Sequence, residues 1–549
     1  MERTSHLRVT YLDGANDERP AVTVPEPEPP PSWADLEIPA PGSPEEDELF
    51  SKLYQQLPSL WKALMTDGHV EQTVVVVPSL SLDTEELRKL KGAKHYEERL
   101  LFLLILLSLP KTRVIFVTSE PIHPHIVDYY LQLLPGIPFS HARQRLTMFA
   151  TYDSSSKSLT QKILERPTLI RRIRKAVGGA KNTHLTVFNV TPLEKSLSVA
   201  LGIPLLGPDP AHLHYGSKSG CRKLFKDAEV PLPDGMEDLK NEEEIFASIL
   251  ELRRRHEGLK RVVIKINEGF SGEGNAIFHM SHIEGAKNDD EALELLREMV
   301  PKHARYQAPG MDWAGFLKKF REMQGIVEVF IEGDEKASPS VQMRITPLGE
   351  AQIISTHDQV LGGPDGQVFV GCSFPALPSY RPQLHEAGHI IGDRLARAGV
   401  IGRLSIDFLA VPNGKDWDMY AVEINLRKGG TTHPFRTLQF LTGGRYNPET
   451  GLFHSGSATP KYYFASDNLE SEKYKGLLPE DLIDIVTYTG LHYTTSTNTG
   501  VVFHMIGALS EFGKIGVTCV GDSPEEAEKL YQKTLETLDW AAGTTEWIV

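Results

Sequence analysis

Short apolar runs alternate with longer amphipathic stretches over the first part of the chain. QTVVVVPSL, TRVIFVTS and HLTVFNVT are apolar at successive positions, the pattern of strands covered on both faces. Before and between them, LFSKLYQQLPSLWKALM, a long stretch from about Thr84 to Ser108, and HIVDYYLQLL carry apolar residues at helical spacing. Buried strands alternating with helices predict a parallel α/β domain. The run LLFLLILLSL from Leu100 is far shorter than the ~20 residues a membrane span needs and reads as a buried core helix. No GxGxxG follows these strands, so a dinucleotide fold has no direct support.

The pattern changes at GIPLLGPDPAHLHYGSKSGCRKLF. A helix starts near Lys218 and ends before AEVPLPDG. A strand, RVVIKIN, runs into the glycine-rich turn EGFSGEGNAIF. The helix WAGFLKKFREM, the strand IVEVFIEG and the hairpin-like pair SVQMRITPLG and EAQIISTHDQVL follow. A helix around EAGHIIGDRLARAG precedes two strands, GRLSIDFLAV and DMYAVEINL, whose connection carries the Asn-Gly hairpin signal. From about Gly443 to Lys475 the chain is polar and turn-rich and reads as an excursion or linker. The end is αβ again, and Ser523 with Glu526 forms a capping-box signature before the last helix. These shifts divide the chain into an acidic, proline-rich leader (1–48), an N-terminal α/β domain (49–205), a central domain (206–442), and a linker with a small C-terminal α/β segment (443–549).

Composition narrows the class. The 549 residues are 40% hydrophobic with a formal net charge of −15. Nucleic-acid binders more often carry a basic stripe, so neither nucleic acid nor membrane is expected as a partner. Three widely spaced cysteines offer no disulfide framework or zinc-ligand spacing, which fits a reducing cytoplasm. The prolines of residues 20–48 predict an extended arm, disordered or laid on the body or a neighbouring subunit.

Several polar residues interrupt apolar strands. Lys265 lies in VVIKINEG, where an unpartnered cation is costly and a phosphate is a suitable partner. Gly269, Gly272 and Gly274 let backbone N–H groups approach an anion, and Ser271 adds a hydroxyl. In VEVFIEGDE, Glu328 is followed by a break at Gly333. Backbone groups there can meet an adenine, and Glu332 or Glu335 can take ribose hydroxyls. Asp407 lies in LSIDFLAV, and Glu423 and Asn425 in the next strand. Side chains of a strand alternate faces, so Glu423, Asn425 and Arg427 share one. Pairing of the two strands brings Asp407 to the same row. Two acids and an amide suit Mg²⁺, and Arg427 offers a planar fork to a phosphate or carboxylate.

In order and spacing, these motifs resemble the ATP-grasp superfamily of carboxylate–amine ligases, from about residue 205 to 436. The resemblance implies an α/β fold: an N-terminal parallel domain, a two-lobed ATP-grasp fold and a small C-terminal α/β segment. It places Lys218 and Lys265 as the two nucleotide lysines. The phosphate loop falls on Ser271, Gly272 and Gly274. Glu328 to Ile331 become the adenine hinge, with Glu335 as the ribose acid. Asp407, Glu423 and Asn425 take the metal positions, and Arg427 steadies the transferred phosphoryl group. Arg344, in SVQMRITPLG, looks like a further phosphate or substrate contact. STHDQVLGG, EINLRKGGTTHPF and TGVVFHMIGAL further resemble peptide ligases of the pheganomycin type.

That likeness implies an ATP- and Mg²⁺-dependent ligase (Mn²⁺ able to substitute). Its partners would be a small amino acid or peptide carboxylate donor and an amine acceptor, with a homodimer as one arrangement. His357, Asp358 and His433 are candidate bases for the amine. The turn Gly429–Gly430, with Thr431, Thr432 and His433, is expected to border the donor. A kinase using the same nucleotide site, or a non-catalytic nucleotide-binding scaffold, are the rival readings.

Overall fold

The computed structural model describes residues 38–66, 70–82, 84–269, 274–308, 310–333, 335–362 and 368–543. The leader up to residue 37 therefore lies outside the described residues, as do Ser271 and Gly272 of the glycine-rich turn.

Near the N-terminus, the strands Gln72–Val77, Thr112–Thr118, Leu146–Ala150 and Thr183–Val187 form a parallel sheet. The first lies between the second and the fourth. Val74 to Val77 are fully buried because helices cover both faces of this sheet. The stretch expected as one long helix is broken. An α-helix, Thr84–Lys89, ends before Gly92, which sits at φ +72°, and a tighter 3-10 run continues from Ala93 to Ser108. Leu100, Leu101, Leu104 and Leu107 of that run are buried.

A five-stranded antiparallel sheet makes a small lobe. Its order is Gly235–Leu239, Gly325–Val329, Arg261–Ile266, Asn275–His279 and Arg305–Tyr306. Val262, Ile264 and Ile266 face the helices Glu242–Arg255, Asp289–His303 and Trp313–Met323. Alternation then sends Lys265 to the opposite face.

The largest sheet has eight strands, all antiparallel. Its order is Asp416–Asn425, Gly402–Asn413, Pro339–Ile345, Ala351–Gly362, Val368–Phe374, Tyr462–Glu470, Lys514–Gly521 and Gly500–His504. The strand Tyr462–Glu470 lies in the interior of this sheet, inside the stretch read from sequence as an excursion. Its alternation was masked by the polar residues Ser466, Asp467 and Asn468, which are spent on internal bonds. Ser466 Oγ donates to Val370 O, and Arg99 binds Asp467. The C-terminal strands share one core with the N-terminal domain, where Val74, Leu101, Phe503 and Val517 belong to the same cluster.

Val341, Met343, Leu404, Ile406 and Ile424 turn one face of this sheet onto the helices Lys218–Asp227 and Arg381–Arg397. A Cβ on Gly392 would sit 2.3 Å from Met343 Cε and 3.1 Å from Ala351 Cβ, so a larger residue there would force the Met343 side chain to shift. The residues between these apolar positions form a polar face directed at the N-terminal domain. Near the C-terminus, Ser523 Oγ accepts from Glu526 N, but the Glu526 carboxylate returns to Asp522 N rather than to Ser523. Among the described residues, no helix is long and apolar enough to cross a membrane.

Candidate active site

Asp407 stands directly opposite Glu423, and Ser405 opposite Asn425. The tight turn at Gly414, φ +64°, joins these two strands and sets the register. A bulge beyond Asp407 shifts the pairing so that Phe408 faces Ala421. The bulge keeps Asp407, Glu423 and Asn425 in one row on the polar face. Asn425 Nδ2 donates to Asp407 Oδ2 at 2.9 Å. Lys218, at the start of the helix Lys218–Asp227, pairs with Glu423. Ser217 caps that helix by accepting from Gly220 N, and Asn267 Oδ1 accepts from both Ser219 N and Ser219 Oγ. The small lobe is thereby tied to the helix that carries Lys218.

Electrostatics separate the two acids. Burial and the neighbouring Glu423 push the Asp407 carboxyl up to about 7, with Arg427, Lys218 and Asn425 only partly offsetting them. Burial also acts to raise Glu423, but Lys218, Arg427 and Lys265 together hold it below its ordinary value. Burial lowers Arg427, against the pull of Glu423 and Asp407. Two carboxylates and an amide on one buried face form an all-oxygen donor set, the kind that suits Mg²⁺.

In the small lobe, Lys265 Nζ lies 2.5 Å from Glu328 Oε1, and Arg222 Nη1 lies 2.6 Å from Glu328 Oε2. Glu328 is therefore an internal counter-charge. Its strand is flanked on both sides, by Gly235 and by Val263, and does not form an open edge at that residue. Phe330 N still bonds Arg261 O, and the chain leaves the sheet beyond it, where Ile331 and the exposed Glu335 follow. Ile331 O accepts from Lys336 Nζ, and Glu332 is held by Arg261. Gly269 and Gly274 face each other at the base of the glycine turn, where a Cβ on Gly269 would lie 3.2 Å from Gly274 Cα.

A cleft of ≈ 320 Å³ runs between these parts. Glu423, Asn425 and Arg427 line one side, Gly269, Gly274 and Lys319 another, and Ser81, Asn189 and Thr191 of the N-terminal domain a third. Ser81 and Asn189 lie just beyond the carboxyl ends of parallel strands, where α/β sheets bind ligands. They lock together, with Asn189 Oδ1 accepting from Ser81 N and Asn189 Nδ2 donating to Ser81 O.

Other sequence candidates lie elsewhere. Arg344 shares the polar face but lies four residues along its strand from Ser340, the residue opposite Asp407. Its Nη2 donates to Gln352 Oε1 at 2.6 Å. Neither His357 nor Asp358 lines the cleft: His357 Nε2 is 2.5 Å from Tyr463 Oη in a fully buried site, and Asp358 accepts from Leu377 N and Tyr380 Oη. His433 is buried against Asp467 and His504, its Nε2 3.1 Å from Asp467 Oδ1. Thr431 and Thr432 instead bond Gln342 on the polar face, and Lys428 reaches Thr186 and Val187 O of the N-terminal domain. Arg222, Asn189 and Asp467 escaped the sequence reading because their partners lie far away in the chain; an isolated cation such as Arg222 in an amphipathic helix carries no local signal.

The two-lobed fold and this row of two acids and an amide resemble those of ATP-grasp proteins. Residues 208–309 and 290–449 match the family model described as IQCH-like, ATP-grasp, and residues 481–534 match the PGM1 C-terminal domain. The chain is 28% identical over 463 residues to the L-propargylglycine–L-glutamate ligase of Streptantibioticus cattleyicolor, spanning 83% of this chain and 92% of that protein. It is 24% identical over 447 residues to IQ motif-containing protein H of Danio rerio, spanning 73% of this chain and 42% of that protein. Among solved structures, the biotin carboxylase βγ-ATP complex from Campylobacter jejuni superposes with a TM-score of 0.52 at 14% identity, covering 88% of this chain and 97% of that one. The biotin carboxylase domain of the Hydrogenobacter thermophilus 2-oxoglutarate carboxylase gives 0.50 at 14%, covering 85% and 90%.

Proposed function

We propose that this chain is an ATP-dependent carboxylate–amine ligase that forms an amide through an acyl phosphate, releasing ADP and phosphate. The observation that carries this reading is the row Asp407, Glu423 and Asn425, of which Glu423 and Asn425 line one cleft with Arg427, Gly269 and Gly274, while Lys265 acts on Glu423 from the small lobe. The likeness to a ligase of two amino acids supports it.

Lys218, Lys265 and the turn from Gly269 to Gly274, with Ser271 and Gly272, would hold the triphosphate. Ile331 and Glu335 would receive the nucleoside beyond Phe330. Asp407, Glu423 and Asn425 would hold Mg²⁺, which when bound neutralises phosphate charge. Catalysis here is positioning and charge neutralisation. An oxygen of the donor carboxylate attacks the γ-phosphorus, and the bond to the β–γ bridging oxygen breaks, so ADP leaves. Arg427 stabilises the equatorial phosphoryl oxygens and then the acyl phosphate. The acceptor amine attacks the acyl carbon, phosphate leaves with the carbon–oxygen bonding pair, and the amine loses a proton. The walls from Ser81, Asn189 and Thr191 exclude water from the acyl phosphate.

The test is phosphate release from ATP and Mg²⁺ against amino acids, guanidino acids and short peptides, with mass spectrometry of the products. ADP and a condensed amide are expected. ADP with a hydroxamate only in the presence of hydroxylamine would assign the donor and leave the acceptor to be found. Tight ATP binding with no turnover across the panel refutes the ligase reading.

A further inference from the structure

Arg344 stands directly opposite Arg403 on neighbouring antiparallel strands. Like charges in that position repel and destabilise a sheet. The Arg403 guanidinium makes no hydrogen bond or ion pair with any described residue. Arg344 is held by Gln352 and lies 4.9 Å from the ring of Trp61, in the N-terminal domain. Arg436, on the helix Thr432–Thr442, donates to Gln439 Oε1 at 2.7 Å, and Lys428 stands at the rim on Thr186 and Val187 O. Four half-buried cations thus gather without an ion-paired acid. The acid that acts on this group is the exposed Glu350, and it acts on Arg344 alone. Burial lowers all four, and repulsion from neighbouring cations adds to it for Arg403, for Arg436, which falls to about 10, and for Lys428, which falls to about 7. Uncompensated buried charge is costly and persists where an anion is bound.

The cluster shares the polar face with the metal row. Arg403 and Asp407 lie four residues apart on one strand, roughly 13 Å at the usual rise. Between them lie Ser405, Gln342 and Thr431, a neutral polar floor. This spacing is too long for the carboxylate that is phosphorylated and suits the far end of the same or the second substrate.

We propose that Arg344, Arg403 and Arg436, with Lys428 at the rim, bind a second carboxylate of the substrate pair, remote from the reacting carboxyl, so that the enzyme selects a dicarboxylic amino acid or a peptide acid. Planar guanidinium forks match a carboxylate in two-point contact. The inference rests on the ligase reading for its role and on the cation cluster for the binding itself.

Two measurements separate these. Glutarate binding to the full-length protein with MgATP is measured by calorimetry, with glutaramate as the probe lacking one charge. Glutarate is expected to bind at least ~30-fold tighter than glutaramate, and Arg403→Met to erase that difference while leaving MgATP affinity unchanged; 30-fold is about 2 kcal/mol. Arg403→Met should also raise the melting temperature, because it removes a like-charge pair. A lower melting temperature with unchanged glutarate binding overturns the proposal. Equal binding of glutarate and glutaramate, or an Arg403→Met variant that keeps the preference, does the same. Turnover of amino acids with glutarate binding absent leaves the ligase reading standing and the subsite refuted. Glutarate binding without any turnover does the reverse. Where turnover is found, loss of hydroxamate in Arg403→Met places the second carboxylate on the donor. Retained hydroxamate with lost condensation places it on the acceptor. Both support the subsite.

Discussion

The Glu328 carboxylate lies between two buried cations, with Lys265 Nζ at 2.5 Å and Arg222 Nη1 at 2.6 Å. Glu328→Gln keeps the shape and removes the charge. Arg222 would retain Pro233 O at 2.8 Å and Glu237 at 3.5 Å, while the next acid acting on Lys265 is Glu423. All three side chains are nearly inaccessible, so solvent cannot replace the lost charge. Breaking a buried pair in this way costs roughly 3–5 kcal/mol, and at about 2.1 cal/mol/K of unfolding entropy per residue over a chain of this size that lowers the melting temperature by about 3–4 °C. Thermal unfolding followed by circular dichroism, with and without MgATP, reads this directly. If Lys265 serves the nucleotide, the triphosphate supplies the missing negative charge, and MgATP should raise the melting temperature of Glu328→Gln more than that of wild type. A variant melting within about 0.5 °C of wild type would show that the triad contributes no net stability and refute the reasoning.

Arg427→Met is expected to abolish hydroxamate formation while MgATP affinity changes less than about tenfold, because the lost contact strengthens only as charge develops on the phosphoryl group. Unchanged turnover would remove Arg427 from the chemistry. Glu423→Gln should abolish magnesium-dependent phosphate release, and near-normal activity would remove it from the metal site. Burial depresses His184 to about 4 and His357 to about 3. Because both folded values lie below the unfolded value of about 6.5, their stability contribution is complete above that pH and is lost as pH falls towards them; at pH 5 each has lost about 2 kcal/mol. Denaturation midpoints at pH 7 and pH 5 check this, and equal midpoints would contradict it. His357→Gln should flatten the dependence.

The polar row Glu423, Asn425 and Arg427 was legible because strand side chains alternate with a period of two, and the Asn-Gly turn marked the pairing of its strand with the one that carries Asp407. Alternation put Glu423, Asn425 and Arg427 on one face, but the register of the turn alone would set Asp407 opposite Val422, and it is the bulge beyond Asp407 that brings it opposite Glu423. The same periodicity marked the buried strands of the parallel sheet and the interrupted apolar pattern around Lys265. Tertiary structure alone decided which charges meet. Glu328 reads as a hinge residue in its strand, yet its carboxylate is claimed by Arg222 from a helix distant in sequence. Arg403 looks like an ordinary solvated cation, and Arg344 like a lone phosphate or substrate contact, until the sheet sets them opposite one another. The strand Tyr462–Glu470 looks like a polar excursion until Arg99, His433 and His504 converge on Asp467. Backbone periodicity is a property of a few adjacent residues, whereas the partner of a buried charge is set by the strand order and by the helices laid over it, which no local stretch encodes.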